Sequence, residues 1–153
     1  MTTPLNRVTK GLSGVAGEYF VAAELSRRGY LASITLRNTR GIDVLVTNAD
    51  ASKSAGIQVK TNQNSIKKWI LNIKAETLFS DTLYYVFVDL NGSQLPTFHV
   101  VPSKVVAEYC RTTHAEWLAT PGRSGQEHND SAIRNFADPS DKYLNAWHLL
   151  GLD

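Results

Sequence analysis

The stretch Gly41-Ile42-Asp43-Val44-Leu45-Val46, followed after a turn by Gly56-Ile57-Gln58-Val59-Lys60-Thr61, decides how this chain reads. Each half is rich in Val and Ile and close to alternating, which predicts a short strand. Asn48, Asp50, Ser52 and Ser54 supply polar turn residues between the two. Successive side chains of a strand point to opposite faces, so Ile57 and Val59 take one face and Gln58 and Lys60 the other. Asp43 opens the neighbouring strand. A carboxylate, an amide and an ammonium are therefore expected to converge on one cleft. An Asp at a strand start and a Gln-x-Lys on a solvated sheet face are also ordinary, so a fourth residue upstream is what strengthens the chemical reading.

That residue lies on the preceding segment. Residues 13–29 predict an amphipathic helix with Ser13 as N-cap, Gly29 as C-cap, and Arg27 and Arg28 in the last turn. Val15, Val21, Ala22 and Leu25 form its apolar stripe, and Glu18 falls within that stripe. A carboxylate on the buried side of a helix is costly unless a metal ion or a lysine pairs with it. At the edge of the stripe it would instead reach water or join a structural ion pair. Gly14 and Gly17 permit close approach to a strand or a ligand backbone. Residues 31–37 predict a first strand, 38–41 a turn into the Asp43 strand, and 69–73 a fourth strand after the polar loop 62–65. The order is a helix followed by a meander.

Glu18 on a first helix, Asp43 at a strand start and Gln58-Val59-Lys60 on the next strand together resemble the PD-(D/E)XK, or restriction-endonuclease-like, nuclease superfamily. Gly17-Glu18 with Leu25 and Arg28-Gly29-Tyr30 is most similar to its archaeal Holliday-junction-resolvase-type subgroup. The similarity spans about residues 11–101. Two departures stand out: Ile42 replaces the proline of the family name, and Gln58 takes the slot usually held by a second acidic residue. The resemblance implies a Mg²⁺ site, with Mn²⁺ as substitute, formed by Asp43, Glu18, Gln58 and the backbone carbonyl of Val59. Lys60 would position the attacking water or neutralise transition-state charge. With two carboxylates, one ion is expected rather than a tightly held pair.

The remaining segments complete a domain. Residues 84–90 are apolar almost throughout and predict a central strand, 97–101 its return, and 102–118 a helix with Val105, Val106, Tyr109 and Trp117 as packing residues. His99 is expected at the sheet surface and not as a ligand. Arg134 is expected in a surface ion pair, with phosphate contact as the other use. Residues 142–150 predict a closing helix with Tyr143, Trp147 and Leu150 on its core face.

With 153 residues, one cysteine (Cys110) and ordinary composition, the chain reads as one domain spanning 1–153, its core at about 11–118 and a loop and closing helix beyond. A disulfide framework and a cysteine zinc site are excluded. The polar start and the lack of a long apolar run predict a cytoplasmic protein with no membrane partner. Net charge is +2, but residues 1–80 carry 11 basic against five acidic groups, and 81–153 five against nine. The basic half suits a phosphate backbone, with Lys10, Arg40, Lys67 and Lys68 as candidate contacts.

The expected fold is therefore α/β, a restriction-endonuclease-like core with a central mixed sheet of about five strands flanked by helices. The expected function is a Mg²⁺-dependent DNA endonuclease in defence, repair or recombination, with RNA left open as substrate. A homodimer is common in the lookalike group because two strands need two cuts. The alternative is the same fold serving as a nucleic-acid-binding or protein-interaction module, its metal site weakened by Gln58.

Overall fold

The computed structural model describes residues 8–36 and 40–153. Helix α1 spans Lys10–Arg27, three residues earlier than the sequence predicts. Thr9, not Ser13, is the N-cap, and its hydroxyl accepts from the Leu12 amide; Ser13 is buried inside the helix with its hydroxyl on the Thr9 carbonyl. Arg28 is the C-cap, and Gly29 follows at φ +90°, a backbone conformation that favours glycine.

Strands β1 (Leu31–Ile34), β2 (Val44–Thr47) and β3 (Ser54–Asn62) form an antiparallel meander. Arg37 and the predicted turn residues Asn38 and Thr39 lie outside the described residues. β5 (Leu83–Asp89) then runs parallel to β3, and β6 (Thr97–Pro102) returns antiparallel to β5, giving a mixed sheet in the order β1-β2-β3-β5-β6. The near-continuous apolar run of β5 reflects cover on both faces.

The sheet separates two cores. On one face Val44, Val46, Ile57, Val59, Val86 and Val88 pack with Val21 and Leu25 of α1. On the other, Tyr85, Phe87 and Val101 pack under α2 (Ser103–Ala119) and a separate two-stranded ribbon of β4 (Lys68–Asn72) and β7 (Ile133–Ala137). β4 is therefore not a fourth member of the meander. Its odd-numbered residues Trp69 and Leu71 are buried against the main sheet, and its backbone pairs with a strand over 60 residues downstream.

Four expectations are corrected. His99 is not at the surface: it is fully buried, with Nδ1 2.7 Å from Asp138 Oδ2 and its ring 5.1 Å from that of Trp69. Arg134 is likewise buried, its Nε donating to Glu76 Oε1 at 2.6 Å. Trp117 is 42% exposed and stacks on His128 instead of joining the core. The closing helix is absent apart from a 3-10 turn at Trp147–Leu150. Asp138 accepts from the amides of Lys142 and Tyr143, and Asp141 and Asn145 take positive φ, which breaks a regular helix. Trp147 and Leu150 still reach the α1-side core, whereas Tyr143 packs on the other face.

Candidate active site

Backbone bonds hold Asp43 between two strands. Its amide donates to the Ile57 carbonyl at 2.8 Å, and its own carbonyl accepts from the Thr35 amide at 2.9 Å. Val44 faces Ile57 in the register, which places Asp43 beside Gln58. Burial alternates along β3 as the sequence predicts, with Ile57 and Val59 against α1 and Gln58 and Lys60 half-buried on the opposite face. Gln58 is the register partner of Tyr85, and Lys60 that of Phe87. Burial pushes the Tyr85 phenol up to about 12, with the charges of Cys110 and Asp43 adding to it. The Asp43 carboxylate is thus felt on the Gln58 and Lys60 side of the sheet.

β3 runs past the start of β2, so from Val59 onward its β2-side edge has no strand partner. Asp43 Oδ2 fills the first gap by accepting from the Val59 amide at 2.7 Å. In a strand the N–H and C=O of one residue point the same way, so the Val59 carbonyl is directed to this open edge too. Asp43 Oδ1 makes no hydrogen bond among the described residues, and Gln58 Oε1 is buried with no hydrogen-bond partner. Asp43 Oδ1, Gln58 Oε1 and the Val59 carbonyl are therefore three oxygens brought to one strand edge. Among the described residues no three His, Cys, Asp or Glu side chains form a metal-ligand group, so the set depends on an amide and a carbonyl beside its carboxylates.

Glu18 is half-buried and comes from the other side of the sheet. A Cβ on Gly17 would overlap Thr61 Oγ1 and stand 3.0 Å from Thr61 Cβ, so only glycine lets α1 lie this close to β3. That contact brings the Gly17-Glu18 turn of α1 against Thr61 of β3. Among the basic candidates, Lys10 lines a cleft of about 340 Å³ with Ser13, Thr61 and Asn62. Lys68 is exposed at the start of β4. Arg40 lines an apolar hollow of about 550 Å³ with Ile42, Leu45 and Phe79. Lys67 is engaged, with Nζ 2.7 Å from Asp141 Oδ2.

Sequence reasoning missed the Asp43 contact with the Val59 amide, because no residue pattern reports a side chain capping a strand edge. It also missed the ribbon, although the alternation in Ile133-Arg134-Asn135-Phe136-Ala137 was the available signal.

No protein-family model matches this chain, and no curated protein matches it in sequence. Among solved structures, a bacterial homing endonuclease aligns with a TM-score of 0.59 at 15% identity, covering 95% of this chain and 94% of its own. Hjc, a Holliday junction resolvase from the archaeal hyperthermophile Archaeoglobus fulgidus, aligns with a TM-score of 0.48 at 10% identity, covering 82% of this chain and 84% of its own. The first likeness extends over nearly the whole of both chains. It establishes the fold expected from the sequence, a restriction-endonuclease-like α/β sheet.

Proposed function

We propose that this protein is a metal-dependent endonuclease hydrolysing phosphodiester bonds in DNA. The observation that carries the reading is Gln58 Oε1, a buried and unpartnered carbonyl oxygen beside Asp43, on the face that also holds Lys60. Leaving such a group unpaired costs about 1–3 kcal/mol, and a hard cation relieves that cost. Asp43, Gln58 and the Val59 carbonyl would hold the ion, with Glu18 of α1 as a further carboxylate. An all-oxygen set suits Mg²⁺, and Mn²⁺ is expected to replace it. Bound there, the ion would polarise the phosphate and lower the pKa of a bound water.

The chain's own residues supply the rest. Asp43 is fixed at both backbone ends and through the Val59 amide, so its free oxygen needs no reorganisation. Lys60 projects from the same face two residues beyond Gln58, about 7 Å along the strand. Its ammonium is placed to hold charge on the phosphate as the transition state forms, or to orient the attacking water. Nicking of supercoiled plasmid and of branched DNA in Mg²⁺, Mn²⁺ or EDTA tests the reading, with an RNA duplex as the alternative substrate. Metal-independent nicking, or none on any substrate, rejects it. Lys60→Ala should slow nicking about a hundredfold while leaving metal binding in place; unchanged nicking would remove Lys60 from the mechanism.

The scarcity of acidic ligands favours one second reading, the same fold used as a nucleic-acid-binding module. Metal binding that depends on Asp43 separates the two. A homodimer belongs to the nuclease reading. The outward face of α1 exposes Leu12, Tyr19 and Phe20 at 60%, 65% and 43%, apolar surface that a second copy would cover. Light scattering should give the mass of two chains at micromolar concentration, and a one-chain mass would reject the dimer.

A further inference from the structure

The β4–β7 ribbon has no part in the chemistry above, yet its two faces are built very differently. Inward, Trp69, Leu71, Arg134 and Phe136 are all buried. Outward, the register sets Lys68 opposite Ala137, Ile70 opposite Asn135, and Asn72 opposite Ile133. Each rung pairs a side chain that hydrogen-bonds with one that is apolar. Ile70 and Ile133, diagonal neighbours on this face, are 66% and 59% exposed. Threonine would meet the strand preference for branching at Cβ without exposing that apolar surface.

The polar members are also available. The Asn135 amide and the Lys68 ammonium make no side-chain hydrogen bond among the described residues. Asn72 is partly used, since its Oδ1 accepts from the Lys74 amide at 3.1 Å. None of the six outward residues is a carboxylate, and exposed Lys74 lies two residues after Asn72. The surface is therefore cationic, apolar and amide-bearing at once.

That combination matches one partner. The DNA major groove is about 12 Å wide and admits a two-stranded ribbon. Adenine offers an acceptor and donor pair to a free Asn, guanine two acceptors to Lys, and thymine a methyl group to an apolar side chain. Three rungs spaced two residues apart span about 14 Å, roughly four base pairs at 3.4 Å each. The ribbon also stands where a substrate would lie. Trp69 packs with its ring centroid 5.0 Å from Phe87, the register partner of Lys60, on the same side of the sheet as Gln58. The ribbon and the Asp43–Gln58 pair therefore share one side of the sheet, the side from which a duplex would approach.

We infer that the outward face of the β4–β7 ribbon enters the major groove of duplex DNA and sets the sequence preference of this protein. Asn135 and Lys68 read base edges, and Ile70 and Ile133 contact thymine methyls. The choice of DNA rests on the nuclease reading, and the test separates the two. Protein carrying Asp43→Asn, so that bound DNA stays uncut, is used to select from a random-sequence duplex library. It is compared with the same protein also carrying Asn135→Ala, Lys68→Ala or Ile70→Thr, the last keeping the branched strand residue. Lys68 and Ile70 are exposed and Asn135 is half-buried on the ribbon's outer face, so melting temperatures should agree within a few degrees.

The Asp43→Asn protein should enrich a motif of about four base pairs. Asn135→Ala should flatten the preference at one position by about 5- to 150-fold, and Ile70→Thr, which keeps one methyl, should weaken it at a second position by a smaller factor. Lys68→Ala should flatten a third. An unchanged motif in these variants overturns the inference, as does the absence of any motif, or tighter binding of single strands or RNA than of duplex. Cleavage by the wild-type chain is scored separately. Cleavage with an unaltered motif rejects the ribbon and keeps the nuclease; a ribbon-dependent motif without cleavage does the reverse.

Discussion

Asp43→Asn should lower metal-dependent DNA cleavage by about a thousandfold or more while leaving the protein folded. A metal ion at a phosphoryl oxygen contributes several kcal/mol to transition-state stabilisation, and each 1.36 kcal/mol is tenfold in rate. The substitution is chosen for the bond that Asp43 Oδ2 accepts from the Val59 amide at 2.7 Å. An Asn side chain keeps that acceptor, so the strand edge stays satisfied. Its NH₂ group then occupies the place of the free carboxylate oxygen and presents donors where a cation needs an acceptor. Asp43→Ala mixes two effects, because it also leaves the Val59 amide unpaired at a cost of about 1–3 kcal/mol. The check is nicking rate in Mg²⁺ beside a thermal melt and a metal titration. Folded Asp43→Asn protein that nicks within tenfold of wild type would remove Asp43 from the ligand set.

The part of the site legible in the sequence was the part fixed by short-range periodicity. Ile57, Gln58, Val59 and Lys60 alternate faces because a strand has a period of two, and no tertiary contact can alter that while β3 remains a strand. Asp43 could be assigned to the same cleft as Gln58 because a polar turn makes their strands neighbours. The register that sets them side by side is visible only in the structure. Glu18 was harder. The stripe containing it predicted a buried carboxylate, but the face α1 presents to the sheet is set by Ser13, Gly17, Val21 and Leu25. Two of those four are not hydrophobic, and Gly17 is inside because of its contact with Thr61 and not its apolarity. A hydrophobic stripe cannot report a helix face chosen by size.

The C-terminal third was illegible for a different reason. Residues 142–150 have apolar groups at helical spacing, yet their backbone is organised by the Asp138 carboxylate, which binds His99 and the amides of Lys142 and Tyr143 together. A buried carboxylate with three partners outweighs the few tenths of a kcal/mol per residue that helix propensity offers. His99 was placed at the surface because its strand neighbours gave no hint of a partner 39 residues away. Both errors come from one long-range polar contact.

The largest expected loss of stability is at Trp69, the residue that fastens the ribbon to the sheet. Its side chain is 1% exposed, its Nε1–H donates to the Val88 carbonyl at 2.9 Å, and its ring lies 5.0 Å from Phe87 and 5.1 Å from His99. Trp69→Ala should cost about 3–5 kcal/mol, since it opens a cavity between two layers and removes the donor from a buried carbonyl. For a chain of this size that is a fall in Tm of about 6–20 °C. Trp69→Phe keeps most of the ring contact and loses the hydrogen bond, so it should cost about 1–3 kcal/mol. The difference between the two variants measures packing against bonding at one position. Because the Asp43 and Gln58 pair rests on β2 and β3 and not on the ribbon, nicking below the new Tm should survive Trp69→Phe, with any change falling on which sequences are cut. A loss of stability below 1 kcal/mol in Trp69→Ala, by chemical denaturation, would mean that the ribbon does not depend on this contact for its attachment.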